Sequence, residues 1–364
     1  MDESEINEFP ALSEDRTQDH EQHHSTLPTA HDGHAETGGI VGRLGHLLGT
    51  HAHGQPASAQ DPALSTERGI WALKVSLIGL LLTALFQVGI VAISGSVALL
   101  ADTIHNFSDA LTALPLWLAF TLAKRARNRR YTYGYGRAED LAGALIVVMI
   151  FLSALIVFYE SIVKIANPQP LAHLGWVAAA AIIGFLGNEL VALFRIRVGR
   201  AINSAALIAD GLHSRADGFT SLGVLLGAIG VGLGFPLADP LIGFAIGIAI
   251  LAISGGAARE MWYRLMDAVD PKLCEAIEQT VAGVPGVRDV HEVAVRWVGH
   301  RQRTELHIRV DGQLPTWESH RIAEAVRHAL FHALPALVEV TVHIDPIEPE
   351  AGDAHQATDH HRAA

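Results

Sequence analysis

Two segments of the chain carry the same pattern of ionisable side chains within otherwise apolar sequence. Residues 101–112 and 209–220 both fit the pattern A-D-x-x-H-x-x-x-D-x-x-T, a recurrence that is not expected by chance. In each segment the histidine and the second aspartate are four residues apart, so on a helix they share one face about one turn apart. Each segment can therefore present one imidazole nitrogen and one carboxylate oxygen to the same ion.

Together the two segments offer two nitrogen and two oxygen donors, a set that suits a tetrahedral divalent ion, with zinc as the first choice. The two carboxylates also balance the charge of a dication, which makes an occupied site tolerable among apolar side chains. A structural polar network between helices is the alternative explanation. The predicted ligands are His105, Asp109, His213 and Asp217.

Six long apolar segments surround or carry these side chains, and each is near the ~20 residues needed to cross a bilayer. Glycine and alanine are frequent within them, as expected where helices pack closely in lipid. We therefore predict an α-helical membrane protein with six transmembrane helices in a domain over residues 65–260. The segments cover residues 70–93, 97–123, 139–160, 174–194, 203–233 and 237–254.

The connections between the segments indicate the orientation of the chain. Basic residues are concentrated after the second and fourth segments, at Lys124–Arg137 and Arg195–Arg200. By the positive-inside rule these connections, and with them both termini, are cytoplasmic. No organelle-targeting feature is present, which favours the plasma membrane of a prokaryote.

The second and fifth segments then run in opposite directions, so each histidine lies level with the aspartate of the other segment, near the bilayer midplane. The first aspartates of the two patterns, Asp102 and Asp210, lie on the outer and the inner side of this level. We expect them either to orient the histidines or line the two access routes, or to make helix-packing hydrogen bonds.

Three further polar side chains within the predicted helices bear on the ion path. Arg215 lies inside the pattern of the fifth segment and needs a partner in lipid, for which Glu189 and Asp210 are the candidates. Asn188 and Glu189 could instead help to line the ion path.

The sequence after the sixth segment is typical of a small cytoplasmic α+β domain, over residues 261–347. Periodicity predicts helices at 271–281 and 318–334 and strands at 290–298, 304–310 and 338–343. The order αββαβ resembles a ferredoxin-like fold without its first strand. In the second strand His307 lies on the polar face, and in the third His343 and Asp345 share a face by period two.

The two ends of the chain have a different composition. Residues 1–64 are acidic, rich in histidine and without apolar periodicity, so we predict a disordered cytoplasmic tail. Its histidines either capture metal weakly or belong to a solvated low-complexity segment. Residues 348–364 form a second polar tail.

Composition excludes several classes of site. The chain has 364 residues, of which 50% are hydrophobic and 18% charged, against about 25% charged in soluble domains. A single cysteine, Cys274, excludes a disulfide framework, an iron–sulfur cluster and a thiolate zinc site. The net charge of −12 argues against a nucleic-acid partner. We expect no prosthetic group.

A closed set of four ligands favours transport over catalysis, because a catalytic zinc keeps one position open for water. Ligands must lose protons to bind metal, so metal and protons compete for the site. This predicts exchange of metal for protons by alternating access and no enzymatic activity. Fe²⁺, Co²⁺, Ni²⁺ and Mn²⁺ are alternatives to Zn²⁺. An intramembrane metallohydrolase and a metal receptor without transport are alternatives from other classes.

The chain resembles the cation diffusion facilitator family of divalent-metal exporters over about Glu67–Pro346. The resemblance rests on the paired H-x-x-x-D helices, on Tyr133–Glu139, on Asp239-Pro240 and on the ending His343-Ile344-Asp345-Pro346. It implies Zn²⁺/H⁺ antiport by a homodimer whose cytoplasmic domains pair, with the four predicted ligands as the transport site.

The resemblance also implies a metal site between the cytoplasmic domains, where zinc would act as a regulator. The matching positions are His291, His307, His320, His343 and Asp345. A further family site in the second-to-third connection is not expected, because Lys124–Arg137 has no His, Asp or Cys. We expect His300, His328 and His332 to be ordinary surface residues.

Overall fold

The computed structural model describes residues 62–94, 113–166, 174–235 and 237–347. In chain order, these residues form six helices followed by a domain with the order αββαβ. The elements are α1 (Pro62–Ser94), α2 (Ala113–Ala123), α3 (Arg137–Ala166), α4 (Leu174–Ala201), α5 (Ala205–Gly232), α6 (Ala238–Leu265), α7 (Pro271–Ala282), β1 (Asp289–Val298), β2 (Arg301–Asp311), α8 (Thr316–Ala333) and β3 (Leu337–Ile347). Both predicted tails lie almost wholly outside these residues.

Four helices in the described part of the chain are long and apolar enough to cross a membrane: most of α1, and all of α3, α4 and α6. Helix α5 also has 28 residues, but its sequence includes Asp210, Arg215 and Asp217. Helix α2 covers 11 residues at the end of the second predicted segment, whose earlier part lies outside the described residues. Four of the six predicted spans therefore meet the criteria of length and composition, and the six-span topology stays a prediction.

The packing of the helices depends on a tight connection between α4 and α5. Asn203 adopts φ 58° in the turn, and Ser204 caps α5 by accepting a hydrogen bond from the Leu207 N–H at 3.1 Å. Gly211 then allows a close approach, because a Cβ there would lie 2.7 Å from Ile196 Cγ1 on α4. Helix α5 also packs against α3 and α6, which places it inside the bundle.

The domain after α6 has the predicted element order. Its sheet has the order β1-β2-β3, with β1 and β2 antiparallel and β2 and β3 parallel, so α8 forms the crossover. Leu306, Ile308 and Val310 of β2 pack in one core with Val326 and Leu330 of α8. Because side chains alternate along a strand, the opposite face of β2 carries the odd-numbered residues.

Candidate functional site

Two of the four predicted transport ligands lie on α5, and both are buried. One helical turn brings His213 Nδ1 within 3.8 Å of Asp217 Oδ1. Zinc bonds to nitrogen and oxygen are about 2.0–2.2 Å long, so two ligands of one ion lie within ~4 Å of each other. The pair thus has the spacing needed to hold one ion. Their predicted partners His105 and Asp109, and with them Asp102, lie outside the described residues.

Asp210 is engaged in a buried ion pair. Its Oδ2 lies 3.1 Å from Arg195 Nη1 of α4, and the two side chains are 0% and 1% exposed. Arg195 also donates hydrogen bonds of 2.9 Å to the hydroxyls of Ser76 and Ser214. Asp210 thus has a cationic partner on α4, and its role in orienting a histidine, lining an access route or packing helices stays a prediction. Arg195 was predicted to lie in the basic connection after the fourth segment, whereas α4 continues to Ala201 and carries it inside the bundle.

Arg215 has Glu189 as its partner, one of the two candidates predicted for it. The contact is bidentate, with Nε at 3.2 Å from Oε2 and Nη2 at 2.9 Å from Oε1. The neighbouring Asn188 is buried where α4 meets α5, since a Cβ on Gly218 would lie 3.4 Å from its Cβ. Each of the two basic side chains buried along α4 and α5, Arg195 and Arg215, is thus matched with a carboxylate.

The predicted cytoplasmic site forms a compact group on the polar face of the sheet. The register of the strands brings these residues together, because His307 pairs directly with His291 on β1 and with His343 on β3. His291 Nε2 and His307 Nδ1 both lie 3.2 Å from Asp345 Oδ2, and His343 Nε2 lies 3.2 Å from Asp345 Oδ1. Donor atoms of His291, His307 and Asp345 all lie within 4.8 Å of one another. Two imidazoles and a carboxylate at this spacing fit a zinc ion.

His320 does not belong to this group within the protomer. It is exposed on α8, and α8 packs against the other face of the sheet. Its membership of the cytoplasmic site stays a prediction.

The expectation that His300 is an ordinary surface residue is wrong. His300 is 5% exposed, and its Nδ1 lies 2.7 Å from Glu139 Oε2 while its Nε2 lies 3.1 Å from Thr66 Oγ1. The other oxygen of Glu139 accepts a hydrogen bond of 2.5 Å from Ser204, the cap of α5. A buried network thus connects the β1–β2 turn with α1, α3 and the start of α5. The position of Glu139 at the start of an apolar helix was the available signal, because a carboxylate there needs a partner.

The rest of the β1–β2 turn is held in the same place. Gly299 has φ +63°, its N–H donates to Asp140 Oδ2 at 3.0 Å, and its carbonyl accepts from Arg264 Nη1 at 3.2 Å. The Arg264 guanidinium also lies over the Trp297 ring, 4.1 Å from its centroid. The turn therefore docks between α3 and α6, and we call the group of Glu139, Asp140, Gly299 and His300 the junction.

Two family models match the chain in succession. The model described as the cation efflux transmembrane domain matches residues 73–266, and the model described as the cation efflux protein, cytoplasmic domain, matches residues 269–347. A relative from Mycobacterium tuberculosis (strain ATCC 25618 / H37Rv), named "Probable cation efflux system protein", is 52% identical over 87% of this chain and 96% of its own length.

More distant relatives carry other names. The magnetosome protein MamB of Magnetospira sp. (strain QH-2) is 30% identical over 70% of this chain and 87% of its own length. The cation-efflux pump FieF of Serratia proteamaculans is also 30% identical, over 70% of this chain and 84% of its own length. Among solved structures, a MamM CTD in a nickel form is 26% identical in sequence. The match covers 22% of this chain and 100% of that chain, with a TM-score of 0.21. From the two family models and the 52% identical relative, the chain belongs to the cation diffusion facilitator family of membrane-bound cation efflux transporters.

Proposed function

We propose that this transporter exports a divalent transition metal, Zn²⁺ first, from the cytoplasm in exchange for protons. The observation that carries the proposal is the buried pair of His213 and Asp217, one turn apart and 3.8 Å from nitrogen to oxygen. Ionisable side chains within membrane helices are rare and commonly mark an ion path, and a nitrogen and an oxygen donor at this distance can bind one dication together.

The complete site adds His105 and Asp109 from the second predicted span, which runs antiparallel to α5. Two imidazoles and two carboxylates then form a tetrahedral set near the bilayer midplane, and the two carboxylates neutralise the cargo. Six spans with both termini in the cytoplasm, in a prokaryotic plasma membrane, provide this arrangement.

Protons drive export through the same ligands. Metal binds only when the ligands are deprotonated, and histidine titrates near neutral pH. A site facing the cytoplasm binds metal, and protonation from the other side displaces it. Asp102 and Asn188 stay candidates for an access route, and Asp102 also for orienting a histidine, whereas Asp210 and Glu189 have basic partners in Arg195 and Arg215.

The second part of the proposal concerns the cytoplasmic domain. His291, His307, His343 and Asp345 hold a regulatory zinc ion, with His320 as a further candidate, and two copies of the chain pair through these domains. An ion bound here favours the conformation with the better-formed site, which couples cytoplasmic zinc to export.

Proteoliposomes containing the full chain test the transport proposal. With an inward-acidic pH gradient and a zinc-sensitive dye inside, wild-type protein should accumulate zinc as protons leave. Asp217→Ala should abolish this flux without changing membrane insertion, whereas Ser221→Ala, one turn further along α5, should retain it.

Other outcomes decide between the alternatives. Flux of Fe²⁺, Co²⁺, Ni²⁺ or Mn²⁺ but not Zn²⁺ would change the cargo, since ligand type alone does not rank these ions in a cell. Zinc binding without flux would favour a receptor, and cleavage of a substrate would favour a hydrolase. Undiminished flux through Asp217→Ala would refute the assignment of the site.

A further inference from the structure

Two exposed histidines lie one turn apart on α8, on the side of the helix away from the core. His328 Nε2 and His332 Nε2 are 3.2 Å apart, and the ring centroids are 4.4 Å apart. Both residues are exposed, whereas Val326 and Leu330 on the same helix are buried in the core of the domain. Two nitrogens at the tips of two exposed rings thus converge on one point.

The separation of the two nitrogens matches a single metal ion. In a tetrahedral zinc site with Zn–N bonds of about 2.0–2.1 Å, two nitrogen ligands lie about 3.3 Å apart. The 3.2 Å observed here requires no change of helix geometry. We propose that His328 and His332 chelate one divalent transition ion through their Nε2 atoms, at a site separate from the cytoplasmic group.

The charges around the pair also favour a cation. Helix α8 ends at Ala333, so His332 lies in its last turn, where the unsatisfied carbonyl groups carry partial negative charge. Glu324, one turn before His328, contacts Arg327 Nη1 through Oε1 at 2.6 Å, so the charges of these two neighbours offset each other.

The chemistry of the donors restricts the ligand. Imidazole nitrogens select Zn²⁺, Ni²⁺ and Cu²⁺ over the hard ions Ca²⁺ and Mg²⁺. Water completes the coordination of an exposed site, so the ion exchanges readily with the cytoplasm. The pair cannot share its ion with the cytoplasmic group, because α8 covers the opposite face of the sheet from His307. The inference therefore stands independently of the proposed transport function.

Carbethoxylation of histidine in the full-length chain, with zinc chloride as the probe and fragment-ion mass spectrometry as the readout, tests the site. At zinc ten times above the dissociation constant, mass action leaves about one site in ten empty, so modification of His328 and His332 should slow about tenfold with one shared midpoint. The variant His332→Ala should abolish protection of His328. The matched control His320→Ala, two turns earlier on α8, should leave it intact, and Ca²⁺ should give no protection.

Two results would overturn the proposal: protection of His328 that persists in His332→Ala, or equal protection by Ca²⁺. In that case the 3.2 Å contact is only a hydrogen bond between neighbouring rings. The double variant His328→Ala/His332→Ala should transport zinc at the wild-type rate when zinc is saturating. Failure of this inference is therefore distinguishable from failure of the transport proposal, which is read from Asp217→Ala.

Discussion

Two histidine–carboxylate contacts in this protein have similar lengths and different surroundings. At the junction, His300 contacts Glu139 at 2.7 Å through Nδ1 and Thr66 at 3.1 Å through Nε2, and all three residues are buried. In the cytoplasmic group, His307 contacts Asp345 at 3.2 Å, but His291 and His343 approach the same carboxylate at the same distance.

The difference lies in how the donors are distributed. Each ring nitrogen of His300 has its own partner, so the contacts connect helices to the sheet and provide no common point for an ion. The rings around Asp345 converge, which is the arrangement that metal ligands have. Contact distance alone therefore does not distinguish a structural histidine from a candidate metal ligand, whereas the convergence of several donor atoms on one point does.

The largest expected effect concerns the buried charges of the helices. In Arg195→Met the Asp210 carboxylate stays buried without its cation, so the full chain in detergent should lose about 3–5 kcal/mol of stability. Thermal unfolding measures this loss. Lys124→Met removes the exposed contact with Glu67 and should cost no more than about 1 kcal/mol. Equal losses of stability in the two variants would show that burial does not determine how much these ion pairs contribute.

The next effect distinguishes the junction from the cytoplasmic group by whether zinc changes the unfolding midpoint. Glu139→Ala removes the buried partner of His300 Nδ1 and the buried acceptor of the Ser204 hydroxyl, at about 1–3 kcal/mol for each, so the unfolding midpoint should fall with or without zinc. The exposed pair of Arg309 and Asp289 is the matched control, and Arg309→Ala, which leaves the Asp289–His291 contact in place, should be nearly neutral. A midpoint that zinc restored in Glu139→Ala would indicate that the junction itself binds metal.

Substitution of Asp345 should affect the unfolding midpoint only when zinc is present, in contrast to Glu139→Ala. Without zinc, Asp345→Ala should unfold near the wild-type midpoint, since the rings around it remain partly accessible to water. With zinc at 100 times the dissociation constant, the wild type should gain about 2.7 kcal/mol and the variant should gain little of this. The same measurement on His320→Ala determines whether His320 contributes to zinc binding at this site. An undiminished zinc shift in Asp345→Ala would contradict the site.

The smallest effect concerns the single thiol. Burial raises the pKa of Cys274, and Glu278 and Glu275 add to the rise, so the reactive thiolate is scarce at neutral pH. Alkylation by iodoacetamide should therefore be slower than for a free cysteine peptide at pH 8 and should accelerate as the pH increases. Cys274→Ser should transport and bind zinc as the wild type does. Rapid alkylation at pH 7 would show that the thiol is activated.

Local sequence patterns were sufficient to predict many of the helices and strands of this protein. The apolar segments predicted the starts of α3 to α6 to within two residues, but α3, α4 and α6 continue to Ala166, Ala201 and Leu265, past the predicted ends at 160, 194 and 254. Alternation in β1, β2 and β3 predicted the αββαβ order. The four-residue spacing of His213 and Asp217 predicted a shared helix face, and period two predicted that His343 and Asp345 lie together. In each case the periodicity of one helix or strand decides the result, so neighbouring sequence contains the information.

Only the tertiary structure decided which charges meet. Arg195 and Asp210, 15 residues apart, pair because α4 folds back on α5, and His300 meets Glu139 across 161 residues because the β1–β2 turn docks between helices. The register of three strands, not the spacing of any one, brings His291 and His307 to Asp345. Pairing energies between distant groups depend on distance and burial, and neither quantity is encoded in the local pattern around a residue.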